Sequence, residues 1–336
     1  MFYKYFNTDW YLLIVFLCNF LLSTVLINSL IKLLKKHSKF QPIREEGPKT
    51  HFKKTKTPTM GGLAFNLSML VNMFLFCDLS SYYTWITIFL FVSFSLIGLA
   101  DDIIKVFFRD SFGFRGSIKL ILELLVGIIS LFALAYFDGT YTATNIKIPL
   151  FNNWLDLGII AFPFFIMALV GSANATNITD GLDGLLSVPI IIISSFLAIY
   201  VIKSNFNIDF SNNVINIILV LLILICSSFI AFLIFNKHPA KIFMGDVGSL
   251  SIGALLFFIA YSLKIELFYA IMGLLFIIEL TSTTLQILSY KLFKKRIFKM
   301  APIHHHFELC GWPETKVVSI FSIVTAILCL IGLLAV

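Results

Sequence analysis

The sequence predicts an all-α polytopic membrane protein of about ten transmembrane helices, a single integral membrane domain over residues 1–336 with both termini on the outer, periplasmic side. Three observations predict the fold class. The 336 residues are 59% hydrophobic and only 13% charged, with a mean hydropathy of +0.96, more apolar surface than a soluble fold of this length can hide. The apolar residues form long runs without the alternation of barrel strands, and in lipid only helices or closed barrels satisfy every backbone hydrogen bond. The basic residues gather in alternate connections. No Pro/Ser/Gly-rich linker, low-complexity tract or fixed repeat divides the chain.

A span needs roughly 20 apolar residues. Candidate runs occupy residues 10–33, 59–78, 84–104, 118–137, 157–174, 184–202, 214–235, 247–263, 266–290 and 317–335. The first has no small-residue cleavage site after it and reads as a span rather than a removed signal. Twenty of the 25 lysines and arginines fall in the connections after the first, third, seventh and ninth runs, while Lys4, Lys147, Lys203 and Lys264 mark the other side. By the positive-inside rule the richer side is cytoplasmic. Topology and attraction to anionic lipid account for most of these charges, with no nucleic-acid partner implied. Of the five cysteines, Cys18, Cys77, Cys226 and Cys329 lie in apolar runs and none forms a CxxC pair, so they read as small apolar filler.

Five unusual polar segments share the basic side: "HFKKTKTPTMGG" entering the second run, "LADDIIK" ending the third, "NATNITDGLDG" between the fifth and sixth, "FNKHPAKIFMGDVGS" between the seventh and eighth, and "FKMAPIHHHFELCGWPETK" between the ninth and tenth. The outer connections "DLSSYY", "DGTYTATNIKIPLFNNWLD" and "KSNFNIDFSNN" read as ordinary polar turns. A one-sided distribution of this kind fits a membrane-embedded site that opens to the cytoplasm.

Each segment has a bland reading beside a chemical one. Asp101 and Asp102 with Lys105 one turn on form either a solvated helix end or part of a site. Asn174, Asn177, Asp180 and Asp183 recur every third residue and would neighbour one another in a helix, more acceptors than a plain turn needs. Asp246 opens the eighth run, where an N-cap role competes. Five carboxylates crowded at one mouth repel unless a cation lies among them. Oxygen ligands that retain waters suit Mg2+, above all when phosphate oxygens complete its shell. Lys54, Lys105 and Lys119 are candidates to hold the remaining phosphate oxygens. His304, His305 and His306 diverge along the chain and cannot form one metal cluster, though one or two imidazoles can donate to phosphate or carry protons. A cation, a base and lysines beside lipid point to phosphoryl transfer between a water-soluble donor and a lipid acceptor.

At these residues the chain resembles the phospho-N-acetylmuramoyl-pentapeptide-transferase (MraY) family, over nearly its whole length and with "TPTMGG", "DDIIK", "NATNITDGLDG", "FMGDVGS" and "APIHHHFELCGWPETKVV" in order. The first four resemble the wider polyprenyl-phosphate sugar-1-phosphate transferases; the His-run segment points to the muramoyl-pentapeptide branch. The resemblance implies Mg2+-dependent transfer of phospho-MurNAc-pentapeptide from UDP-MurNAc-pentapeptide to undecaprenyl phosphate, giving lipid I and UMP in peptidoglycan biosynthesis. It implies a multi-pass protein of the bacterial cytoplasmic membrane, embedded in the lipid bilayer as a homodimer.

Carried over by motif, Asp246 ligates Mg2+, Asp101 is the base toward the lipid phosphate, and Asp102 stands beside it in the metal and phosphate network. Asp183, Gly181 and Leu182 line a uracil site, with Phe243 stacked on the base. Lys54, Asn177, Asp180, Asn236 and His304 contact the nucleotide sugar region, and Gln286 faces the site. Glu279 matches a family position as well as a plain interhelical hydrogen bond. Two positions depart from the family: Lys56 replaces the usual Gly before "TPTMGG", and Ser117 replaces a usual basic residue, which leaves Arg115 or Lys119 to meet phosphate there.

Direct in-line attack by the lipid phosphate is the mechanism expected, with an aspartyl-phosphate route as its rival. The nearest functional alternative is a polyprenyl-phosphate N-acetylhexosamine-1-phosphate transferase. An ion-coupled transporter is the distant one, and it predicts midplane charges and polar openings on both sides.

Overall fold

The computed structural model describes residues 8–36, 57–108, 113–138, 143–148, 153–204 and 212–334. Among the described residues twelve α-helices follow one another: α1 (Thr8–Lys36), α2 (Gly61–Phe76), α3 (Tyr82–Phe107), α4 (Gly116–Asp138), α5 (Ala161–Thr179), α6 (Ser187–Ser204), α7 (Asn212–Asn236), α8 (Asp246–Ser262), α9 (Glu266–Met272), α10 (Leu274–Phe293), α11 (Ile303–Leu309) and α12 (Glu314–Leu334). Among the described residues seven helices are long and apolar enough to cross a membrane, or up to eight if the bent pair α9–α10 is one span. Each of the ten sequence runs is helical, but α2 and α8 have only 16 and 17 residues. At 1.5 Å per residue they measure about 24–26 Å, less than the roughly 30 Å hydrocarbon core.

Two expectations are corrected. The ninth run is not one helix: it breaks at Gly273 into α9 and α10, which meet at 76°. The connection before α5, read from the sequence as an ordinary polar turn, is more than that. Its described part holds a hairpin of β1 (Asn145–Ile148) and β2 (Asn153–Asp156), antiparallel with Asn145 opposite Asp156. In β1 the isoleucines alternate with Asn145 and Lys147, the period that suits a strand.

Helix α8 is the axis of the bundle. All 17 of its residues are buried, as expected for a helix apolar on every side, and α2, α3 and α5 pack around it. A second layer joins α1, α2 and α7 through Asn19. Its amide nitrogen donates to the Leu224 carbonyl and to the hydroxyls of Ser227 and Ser228 at 2.7–2.9 Å, and its oxygen accepts from Ser68 and Asn72. Such interhelical bonds stabilise by about 0.6 kcal/mol each where lipid offers no competing partner. Trp10, Leu21, Val25, Ile159 and Leu334 are among many large apolar side chains left exposed, a surface suited to acyl chains rather than water.

Candidate active site

Four of the polar segments meet at the N-terminus of α8, and the fifth reaches the third and fourth through His304 and Glu314. The "TPTMGG" segment reaches it through backbone bonds: the N–H groups of Gly61 and Gly62 donate to the carbonyls of Phe243 and Met244, and the Phe243 N–H donates to the Pro58 carbonyl, all at 2.8 Å. Helix α3 approaches because Gly98 has no side chain. A Cβ there would lie 2.3 Å from the Asp246 carbonyl oxygen. One turn later Asp102 is delivered onto the start of α8. Its two carboxylate oxygens accept the N–H groups of Asp246 (3.1 Å) and Val247 (3.0 Å). Gly245, at φ +79°, admits this carboxylate, since a Cβ would stand 2.4 Å from Asp102 Oδ2. The expected competition over an N-cap resolves here: Gly245 occupies the cap position, Asp246 is the first helical residue, and the side chain doing the capping comes from α3.

Asp246, Asp101 and Asp102 are all buried and each offers an oxygen within 4.8 Å of the others. Two ammonium groups balance them. Lys105 Nζ lies 3.1 Å from Asp246 Oδ1 and also pairs with Asp101, and Lys119 Nζ lies 2.6 Å from Asp246 Oδ2. Asp101 Oδ1 accepts the Phe114 N–H at 2.7 Å, so residues 113 and 114, just before α4, lie against it. The positive end of α8 favours negative charge at this place. Three hard oxygen donors in one buried group can hold a metal ion, with the two lysine ammonium groups at its edge.

The three-residue series in "NATNITDGLDG" is not one helical face, because α5 ends at Thr179. Its members turn to separate partners. Asn174 donates to Glu123 Oε2 (2.5 Å) and Asn177 to Ser249 Oγ (2.9 Å). Asp180 lies half-buried against the Gly245 N–H. Burial, and then the carboxylates of Asp246, Asp102 and Asp183, hold its pKa well above the usual carboxylate range. Asp183 is buried, and its Oδ2 accepts from the Ala240 N–H at 3.0 Å and faces His238 Nδ1 at 3.1 Å. The Leu182 side chain is packed with Leu185, Leu275, Val317 and Phe321, so only its backbone is available to a ligand.

Other expected site residues have these surroundings. Asn236 is buried, accepts from the Gly184 N–H and the Ser187 hydroxyl at 3.0 Å, and donates to the Ile242 carbonyl at 3.1 Å, which fixes the turn above it. Gln286 binds the backbone of Ile297 and Phe298 with both ends of its amide. His304 is fully buried, with Nδ1 2.9 Å from Glu279 Oε2 and Nε2 against Gly181; that Nε2 has no hydrogen-bond partner among the described residues. His305 faces Glu308 at 2.7 Å and His306 Nδ1 accepts the Lys299 N–H at 3.1 Å, so each imidazole has its own partner, but the run does not fully diverge as expected: the His304 and His305 rings lie 4.2 Å apart. Phe243 is half-buried beside Gly61. Arg115 and Ser117 are exposed, and it is Lys119 that meets Asp246. Lys54 and Lys56 lie outside the described residues.

Three residues escaped the sequence reading. Glu123, buried one turn beyond Lys119, leaves Oε1 without a partner among the described residues; a lone acid inside an apolar run was its signal. His238 and Glu314 flank Asp183, and their signal was only that they stand within two of the polar segments.

Residues 84–264 match the family model described as glycosyl transferase family 4. The chain is 43% identical to a phospho-N-acetylmuramoyl-pentapeptide-transferase of Clostridium botulinum (strain Eklund 17B / Type B) over 319 residues, 95% of this chain and 94% of that one. It is 43% identical to the protein of that name from Francisella philomiragia subsp. philomiragia over 338 residues (97% and 92%), and to that of Clostridium kluyveri over 306 residues (91% and 93%). With relatives this similar aligned along nearly its full length, the chain belongs to the phospho-N-acetylmuramoyl-pentapeptide-transferase family.

Proposed function

We propose that the protein transfers phospho-MurNAc-pentapeptide from UDP-MurNAc-pentapeptide to undecaprenyl phosphate, releasing UMP and forming lipid I for peptidoglycan biosynthesis. In this reading α2 and α8 are spans, the total is ten, the termini face outward and the site opens to the cytoplasm. The setting is the bacterial cytoplasmic membrane, with a homodimer as the assembly. The observation that carries the reading is the buried group of Asp101, Asp102 and Asp246 with Lys105 and Lys119 between and beside its carboxylates.

Asp246 and Asp101, with Asp102 behind them, are the residues to hold Mg2+. When bound, the ion supplies positive charge to the diphosphate and to the departing UMP. Lys105 and Lys119 are freed to bind phosphate oxygens and fix their direction. Asp101, its Oδ1 held by the Phe114 N–H, takes the proton of the acceptor phosphate. An oxygen of the lipid phosphate then attacks the β-phosphorus in line, and the new P–O bond forms as the bond to UMP breaks. Asp183, the backbone of Gly181 and Leu182, and Phe243 receive the uracil. Asn177, Asp180, Lys54 and the His304–His306 segment serve the sugar side, while Asn236 and Gln286 support the loops that do so.

The test uses purified protein, UDP-MurNAc-pentapeptide and a polyprenyl phosphate. UMP should appear with Mg2+, stop with chelator, and fall by at least ~10²-fold in Asp246→Asn and in Asp101→Asn. Undiminished release in either variant removes that residue from its role. Preference for UDP-GlcNAc as donor would change the substrate, and a phosphorylated enzyme trapped with nucleotide substrate alone would replace the one-step route.

A further inference from the structure

Asp183 is held by two residues that come from distant parts of the chain. Glu314, the first residue of α12, accepts the Asp183 backbone N–H on Oε1 at 2.6 Å. Its Oε2 lies 3.3 Å from His238 Nδ1, and the same nitrogen lies 3.1 Å from Asp183 Oδ2. An imidazole nitrogen between two carboxylate oxygens carries its proton there, whichever form the other nitrogen takes. Main chain and side chain of Asp183 are thereby fixed at once, from α12 below and from the segment after α7 beside it. Packing repeats the arrangement: Leu182, the preceding residue, rests on Val317, one turn into α12. The negative Glu314 also suits the positive end of its helix, which holds the carboxylate in place.

We propose that Glu314 and His238 are positioning residues for nucleobase recognition. They set the carboxylate and backbone of Asp183 in the orientation that receives the base, so the start of α12 determines how tightly a uridine nucleotide is held. This deepens the proposed function and rests on its assignment of Asp183 to the uracil site. Neither residue touches the Asp101–Asp102–Asp246 group in these contacts, so the effect should fall on donor affinity rather than on chemistry.

The experiment measures UMP binding by calorimetry, and KM and kcat for the donor, on full-length protein. Glu314→Ala is expected to weaken UMP binding and raise KM by about tenfold, with kcat changed by less than about threefold. Glu314→Gln keeps an oxygen for the Asp183 N–H and should restore much of the loss. His238→Ala should weaken UMP binding, and His238→Asn, whose amide nitrogen can take the place of Nδ1, should restore it. If Glu314→Ala does not fold, the Glu314→Gln and His238 pairs carry the same comparison. UMP affinity lost in Asp183→Asn but unchanged in Glu314→Ala and His238→Ala overturns the positioning role alone, as does a fall in kcat at constant KM. Affinity unchanged in Asp183→Asn removes the uracil assignment and this proposal together, while leaving the phosphoryl-transfer site to its own test.

Discussion

The Asp102 carboxylate accepts the backbone N–H of Asp246, 144 residues further along the chain, at 3.1 Å. A second bond to the Val247 N–H makes α3 the cap of the buried central helix, and the same contact seats the Asp246 side chain between two lysines. A cap of this kind stabilises by about 1–2 kcal/mol. Asp102→Ala should therefore lower both the melting temperature and turnover. Asp102→Asn should fall between, since its amide oxygen can cap one N–H but its NH2 group opposes the other. Thermal unfolding in detergent, read beside UMP release, checks both.

Gly98 sets the distance between α3 and α8, because any Cβ there meets backbone at 2.3 Å, which cannot turn aside. Gly98→Ala should destabilise by about 1–3 kcal/mol or more and abolish most activity by pulling Asp102 off its helix. Gly127→Ala in α4 is the control: its nearest neighbour is at 3.6 Å, and melting and turnover should stay near those of the parent. Equal tolerance at both positions would refute the close-approach account.

Asp180 gives a pH dependence with a definite sign. Burial, reinforced by three neighbouring carboxylates, raises its pKa in the folded state, while the unfolded chain titrates near ~4. The folded state binds the proton over the interval between the two values, so stability falls as pH rises through that interval and then levels off. Asp180→Asn removes the loss. In chelator the variant should match the parent near pH 4 and melt higher toward neutral pH, by about 2–4 °C for each kcal/mol recovered. Activity should decline in the same variant. Melting curves that stay parallel across this pH range would contradict the assignment.

Glu279 and His304 form a fully buried pair across α10 and α11, at 2.9 Å. Removing one partner of such a pair costs about 3–5 kcal/mol. Glu279→Leu should therefore destabilise more than the double variant Glu279→Leu/His304→Phe, in which neither polar group is stranded. A double-mutant cycle on chemical or thermal unfolding measures the difference, and strict additivity would mean the contact contributes nothing.

The sequence alone determined that the chain is a helical multi-span membrane protein, which five polar segments matter, and to which family they belong. These are properties of one dimension: run length, the side on which lysines fall, and the order of short motifs. Only the tertiary structure decided what each polar residue does. Asp102, legible as a site carboxylate, also caps α8, and the amides of Asn236 and Gln286 bond to neighbouring turns. Asn174, Asn177, Asp180 and Asp183 would neighbour one another in a helix, but the helix ends at Thr179, and they reach α4, the start of α8 and the segment after α7 instead. The bend at Gly273 and the grip of Glu314 on Asp183, 131 residues apart, were likewise invisible. The physical reason is that burial and chain direction are encoded locally, whereas a carboxylate's partner depends on which helices touch, at what depth, and where a missing Cβ lets two backbones meet.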